Sequence, residues 1–541
     1  MGKASRRKRI IGDPVAVGGG NARGAAAVRG GSAARVARQP VVVQEDSLLR
    51  YWELALAVVA GSFWFLGHVP GPISDLAIPA WVVTGLALGL VSPWYGLLLT
   101  VITVPWLGGA TDQPTGEILR VVAMYGAAIR VLLDRFILDP ALGRTTRHGP
   151  PLWVLACAAI AAVLYAVTVQ TGTAAVGGDP AFFQSGIRWV VGGSMGMMMA
   201  WIAASHVVAG REDTFTDVVL AVLVVASALA LAAYFTLDAT AYAANKGTGG
   251  ASTMPVIQWF TFYGRVNDRL AGLGYPTPTA MGIVVSLPFA VAAAWRQARW
   301  LAGAVIVLAL VVVMLTVSRG PLIAIGAGAI VAVLASGRFD RRLAIPALAV
   351  GAVAAVGIVL MRYGTDPSKI VENFLGASGE DTDRIGTWVA AVHIAIGNPI
   401  VGGGWRSVER YADFAQRQVA YAHDIVLHGF SEGGFPLGIT NGAVILYSAW
   451  MVWVRRHTMA VSVIAAAVTF FVCGLWDIPQ VRAYASTMGG IAMGMAAGPL
   501  IARRAAAAVP ATVPARAAAA VPAPASTPAP ASASAPANER A

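Results

Sequence analysis

Apolar runs recur from about residue 53 to residue 502, each near the roughly 20 residues that a helix needs to cross a bilayer. No single water-soluble core could hide them all. Of the 541 residues, 57% are hydrophobic and only 12% charged, and the mean hydropathy is +0.67. A soluble chain of this length carries about a quarter charged residues. The expected fold is all-α: a polytopic integral membrane protein with about 12–14 transmembrane helices and a helical extracytoplasmic loop domain.

Hydropathy sets spans near 51–68, 74–92, 94–110, 117–138, 152–170, 187–208, 216–236, 279–296, 300–318, 321–336, 344–361, 433–454, 458–476 and 485–502. Every second connection is basic: Arg144 and Arg147, Arg211, Arg296 and Arg299, Arg338, Arg341 and Arg342, Arg455 and Arg456, and finally Arg503 and Arg504. Under the positive-inside rule this puts both termini in the cytoplasm. It also exposes two long connections, 237–278 and 362–432, on the outer face.

The formal charge is +12, and most of it is terminal. Residues 1–48 are rich in Gly, Ala and Arg, and 503–541 form an Ala-Pro-Ser tract, compositions that bury too little to order themselves. Both are expected to be disordered cytoplasmic tails flanking a membrane domain over 49–502. A basic arm before a multi-span protein fixes topology or touches anionic membrane lipids, so nucleic acid is not an expected partner. A stretch of about 40 residues, polar and rich in Gly and Ala, precedes the first apolar run, against a cleavable signal peptide. Cys157 and Cys473 both fall inside apolar spans, where they act as small buried hydrophobes, and neither metal nor cofactor is expected.

The larger loop shows helical patterning. Ile385, Trp388, Val389, Val392 and Ile396 form one stripe, and 405–421 reads as amphipathic. It also holds a series of motifs: Thr382-Asp383-Arg384-Ile385-Gly386-Thr387-Trp388, then Asn398-Pro399-Ile400-Val401-Gly402-Gly403-Gly404, then His423-Asp424, then Ser431-Glu432-Gly433-Gly434. Upstream stand Arg269-Leu270-Ala271-Gly272 with Tyr275-Pro276-Thr277, and Thr316-Val317-Ser318-Arg319-Gly320. The triple glycine has no following Lys-Ser or Lys-Thr, so a tight turn is a better reading than a nucleotide loop.

In this order the motifs resemble those of the O-antigen ligase and O-antigen polymerase superfamily over roughly 260–455. The chain departs from that pattern at Thr277 and Asp424, where the family usually has Asn. The resemblance implies an enzyme: an inverting glycosyltransferase, without a metal ion, that moves a glycan from a polyprenyl-diphosphate carrier to an acceptor hydroxyl on a glycan, lipid or protein at the outer face of the bacterial inner membrane. Ligation and polymerisation both remain open. Such an enzyme works in surface or exopolysaccharide assembly, with a flippase or chain-length regulator as assembly partner.

The chemistry suits the residues. A departing diphosphate gathers negative charge, which Arg meets with planar, permanently charged donors; Arg269, Arg319 and Arg384 are the candidates, with Arg265 as a competitor to Arg269. An acceptor hydroxyl needs a base, for which His423 is favoured over His428. Asp424 is a candidate to orient His423, and Glu432 to bind a sugar hydroxyl or an Arg. The rival reading is a transporter of a small anion or a lipid-linked glycan, in which the same arginines touch substrate without bond chemistry.

Overall fold

A computed structural model describes residues 47–67, 72–106, 116–141, 149–236, 263–266, 269–272, 276–335, 356, 379–414, 421–479 and 482–498. The expected tails lie outside these residues apart from 47 and 48, as do the expected span near 344–361 except residue 356, most of 237–278, and 362–378 of the larger loop. Apart from Ser47, the described residues belong to one unit, Leu48–Ala541.

The principal helices are α1 (Ser47–Leu66), α2 (Pro72–Val91), α3 (Pro93–Thr103), α4 (Gly116–Leu119), α5 (Val122–Leu133), α6 (Leu152–Ala175), α7 (Pro180–Trp189), α8 (Met195–Val207) and α9 (Glu212–Thr236). They continue as α10 (Pro276–Gln297), α11 (Arg299–Leu315), α12 (Arg319–Ala335), α13 (Gly379–Gly397), α14 (Ile425–Arg455), α15 (Val461–Trp476) and α16 (Ala483–Ala497). In hydrocarbon there is no water to satisfy backbone polar groups, so Ala-, Leu- and Val-rich segments must close their hydrogen bonds internally. Six helices among the described residues are long and apolar enough to cross a membrane: α2, α6, the continuous stretch Pro180–Val207, α9, α10 and α14. The chain is an all-α polytopic membrane protein with one addition, an antiparallel hairpin of β1 (Tyr263–Val266) and β2 (Arg269–Gly272), in which Val266 faces Arg269.

Several expected spans are irregular. The one near 94–110 is the 11-residue α3, only about 17 Å long at 1.5 Å per residue. The one near 117–138 breaks after Leu119. The carbonyls freed there are taken by side chains, Trp81 Nε1 donating to Leu119 O (2.7 Å) and Thr103 Oγ1 to Arg120 O (2.9 Å). The one near 187–208 loosens into a π-helical turn at Val190–Ser194, and Tyr125 Oη donates to Val191 O at 2.7 Å.

The loop helix α13 buries a face other than the apolar stripe. Its buried face is Thr387, Ala390, Ala391 and Ile394, and the last three join a small core with Val408 and Ala422. The apolar residues Ile385, Val389, Val392 and Ile396 instead face outward. The two alanines allow the close approach that the bulkier stripe would prevent. Residues 407–414, expected within an amphipathic helix, form a 3-10 helix.

Candidate active site

His423 stands at the join between loop and span. Its Nδ1 lies 3.1 Å from Asp477 Oδ1, just beyond the end of α15. A carboxylate only accepts, so Nδ1 carries the proton of this contact, and in the neutral ring the lone pair is on Nε2. The His423 backbone has φ +50°, a left-handed conformation costing roughly 1–2 kcal/mol in a residue with a Cβ. Asp424 is the N-cap of α14, accepting from Val426 N (2.8 Å) and Leu427 N (2.9 Å). Burial pushes its carboxyl up, against the pull of those two amides. The ring partner of His423 is therefore Asp477, and the expectation that Asp424 orients it is corrected.

His428 and Glu432 lie within the first two turns of α14, each 1% exposed, with Nε2 and Oε2 3.3 Å apart. The other Glu432 oxygen accepts from Arg406 N at 3.0 Å. Arg406 has φ +57°, so this contact holds the chain where it turns out of the glycine motif. Glu432 therefore serves the loop's own backbone rather than an open surface. The His423 side chain is 30% exposed, so the two loop histidines differ sharply in access.

The glycine motif is clipped to α14 through its backbone. Gly403 N donates to Ser431 O (2.8 Å), Gly404 N to Glu432 O (2.9 Å) and Phe435 N to Pro399 O (2.7 Å). Between them Gly434, at φ 65° and ψ −164°, breaks the helix, a conformation open essentially to glycine alone. Trp405 N donates to Thr168 O on α6 (2.8 Å) and the buried indole packs on Phe182 of α7. The loop that presents His423 is thus fastened to three membrane helices.

Arg269 reaches from β2 to the end of α11. Its Nε donates to Thr316 O (2.7 Å), and a terminal nitrogen reaches Val317 O (3.4 Å) and Ser318 Oγ (3.2 Å). The guanidinium organises the turn, where Val317 has φ +52°, and from which Arg319 opens α12. The Arg265 backbone is paired opposite Leu270. The side chains of Arg265 and of Arg384, in α13, lie outside the described residues.

Contacts relate the two halves. Ser318 Oγ meets Thr277 Oγ1 in the first turn of α10 (3.3 Å), and Ser286 further along α10 meets Tyr484 Oη at the start of α16 (3.1 Å). Asp477 lies six residues before α16. Arg269 and Ser318-Arg319 thus meet at the start of α10 and the end of α11, and His423 and Asp477 at the start of α14 and the end of α15. Asp477 was missed in the sequence, although a lone acid closing the apolar run Phe470–Trp476 is a signal that could have found it.

No curated protein matches the chain. A family model described as O-antigen ligase matches residues 304–442, a stretch holding Arg319, Arg384, His423, Asp424 and Glu432 and stopping short of Asp477. Over that stretch, the chain is similar to the O-antigen ligase family.

Proposed function

We propose that the chain is a metal-independent, inverting glycosyltransferase that moves a saccharide from a polyprenyl-diphosphate carrier to an acceptor hydroxyl at the outer face of the bacterial inner membrane. The observation that carries this reading is the half-exposed His423 paired with Asp477 where the loop enters α14. His423 Nε2 takes the proton of the acceptor hydroxyl while its oxygen attacks the anomeric carbon. The bond from that carbon to the phosphate oxygen breaks, and the diphosphate leaves with the electron pair. Asp477 fixes the tautomer and stabilises the imidazolium as it forms. Arg319 faces the developing diphosphate charge, and Arg384 joins it from the loop. Arg269 acts one step away, by shaping the turn that carries Arg319.

The test is a deletion of the gene in the host bacterium, complemented with wild type or His423→Ala, reading surface glycan length against the lipid-linked pool. Single repeats would identify a polymerase, and full-length chains stranded on carrier a ligase. Unchanged glycans and carriers would overturn the reading and favour transport.

A further inference from the structure

The outward face of α13 is as apolar as a core. Ile385 and Ile396 are 59% and 67% exposed, and exposed Val389 and Val392 lie between them on the same side. Ile400 and Val401, also exposed, extend this surface past the end of the helix. The opposite face is already taken, by Ala390, Ala391 and Ile394 against Val408 and Ala422. Among the described side chains of α13, His393 is the one ionisable group, and it stands to the side of the stripe. A contiguous apolar surface of this kind marks a place that meets something other than water.

The neighbouring span shows what meets it. Beyond the kink at Gly434, Phe435, Ile439, Leu446, Trp450 and Trp453 are all exposed and recur at helical spacing, so they form one face of α14. On a membrane-spanning helix an outward apolar face looks on acyl chains. Trp450 and Trp453, followed by Arg455 and by Arg456, whose guanidinium lies 4.2 Å from the centre of a Trp453 ring, mark one boundary of the hydrocarbon. Phe435 stands 18 residues earlier, about 27 Å away at 1.5 Å per residue, against a hydrocarbon thickness of about 30 Å. The other boundary therefore falls close to Phe435. Phe435 N donates to Pro399 O at 2.7 Å, which brings Ile400, Val401 and the end of α13 to that same level. The stripe of α13 is thus continuous with the lipid-facing stripe of α14.

We infer that α13 is an interfacial helix: it lies along the bilayer surface on the loop side, with Ile385, Val389, Val392 and Ile396 seated between headgroups and acyl chains. Ile385 is 11 residues from Ile396, about 16 Å along the axis, so only a helix lying in the membrane plane gives both of them lipid. The loop helix is then held by protein on one face and by lipid on the other. The start of α13, where Arg384 stands, comes to the level of a lipid carrier's diphosphate; that consequence rests on the proposed function, and the seating does not.

The test is spin labelling of the full chain in nanodiscs of phosphatidylcholine and phosphatidylglycerol. Cys157→Ala removes the half-buried thiol, and Cys473 is buried. Ile385→Cys, Val389→Cys, Val392→Cys and Ile396→Cys then each carry a nitroxide, with Ile439→Cys as the reference inside the hydrocarbon. Collision with oxygen against a water-soluble nickel chelate gives each depth. All four are expected about 5–10 Å below the lipid phosphates, shallower than the label at Ile439. Ile385 and Val389 decide: nickel collision there as free as in water would stand α13 away from the membrane and overturn the seating. Shielding from both reagents would put protein on the stripe and overturn it as well, with spin–spin broadening that vanishes on dilution by unlabelled chain identifying a second copy. If one of these two variants fails to accumulate, the other carries the test. The depths are read without donor or acceptor, so a fully active His423→Ala would refute the transfer reaction and leave the seating standing.

Discussion

Asp477 and His423 are 54 residues apart in sequence and 3.1 Å apart in space. The acid closes one helix, the histidine precedes another, and the start of α14 packs on the end of α15 where Ile425 lies against Gly474. Replacing the base should lower transfer by ~10²–10⁴-fold. We expect His423→Ala to show that loss in kcat from a purified lipid-linked donor, with membrane levels unchanged. Asp477→Asn should lose less and alter the pH–rate profile, because an amide no longer selects the Nδ1-protonated ring; an unaltered profile would remove Asp477 from the mechanism.

Asp424 gives a contrasting case. As a helix cap it contributes about 1 kcal/mol, so Asp424→Ala should lower the melting temperature. Asp424→Asn should melt and turn over like wild type, since Asn caps equally well. Loss of activity in Asp424→Asn without loss of stability would mean that the carboxylate has a chemical role.

Glu432 should behave as a fold element. Glu432→Ala removes the acceptor for Arg406 N in a buried place, a loss of ~1–3 kcal/mol, and should reduce accumulation in the membrane before it changes substrate affinity. Glu432→Gln keeps an acceptor oxygen and should accumulate better than Glu432→Ala. A Gln variant that accumulates normally yet loses substrate affinity would return Glu432 to the sugar site.

Gly434 should resist any side chain. At φ 65° and ψ −164°, an added Cβ would lie 2.6 Å from Pro399 O, and backbone strain of this kind costs ~1–3 kcal/mol. Gly434→Ala is expected to melt several degrees below wild type in detergent, and an unchanged melting temperature would show that the kink is not under steric control.

Arg269→Lys tests the turn. Lysine keeps the charge but cannot span Thr316 O, Val317 O and Ser318 Oγ together. Its kcat should fall while thermal stability changes little. If Arg269 held the diphosphate only through charge, the lysine variant would stay close to wild type.

The all-α membrane fold was legible because hydropathy in long runs leaves little choice of structure. The motifs were legible as residue types, and their partners were not. Asp424 follows His423 directly and invited a pairing, yet its carboxylate turns to the amides of its own helix, the ordinary behaviour of Asp at a helix start. Asp477 carried a local signal as the acid that closes an apolar run, but its pairing with His423 depends on how α15 ends beside α14. The stripe of α13 was legible, but not that the helix would bury Ala390 and Ala391 instead of it.

Gly172 of α6 and Gly404 of the loop meet backbone to backbone. A Cβ on Gly404 would come within 2.2 Å of Gly172 N, and one on Gly172 within 2.7 Å of Trp405 N. Neither position can acquire a side chain unless the other segment withdraws. In heritable terms the two sites, more than two hundred residues apart, cannot drift independently. A change tolerated at one would arrive with a compensating shift at the other, and this linkage would reach the setting of His423 from α6.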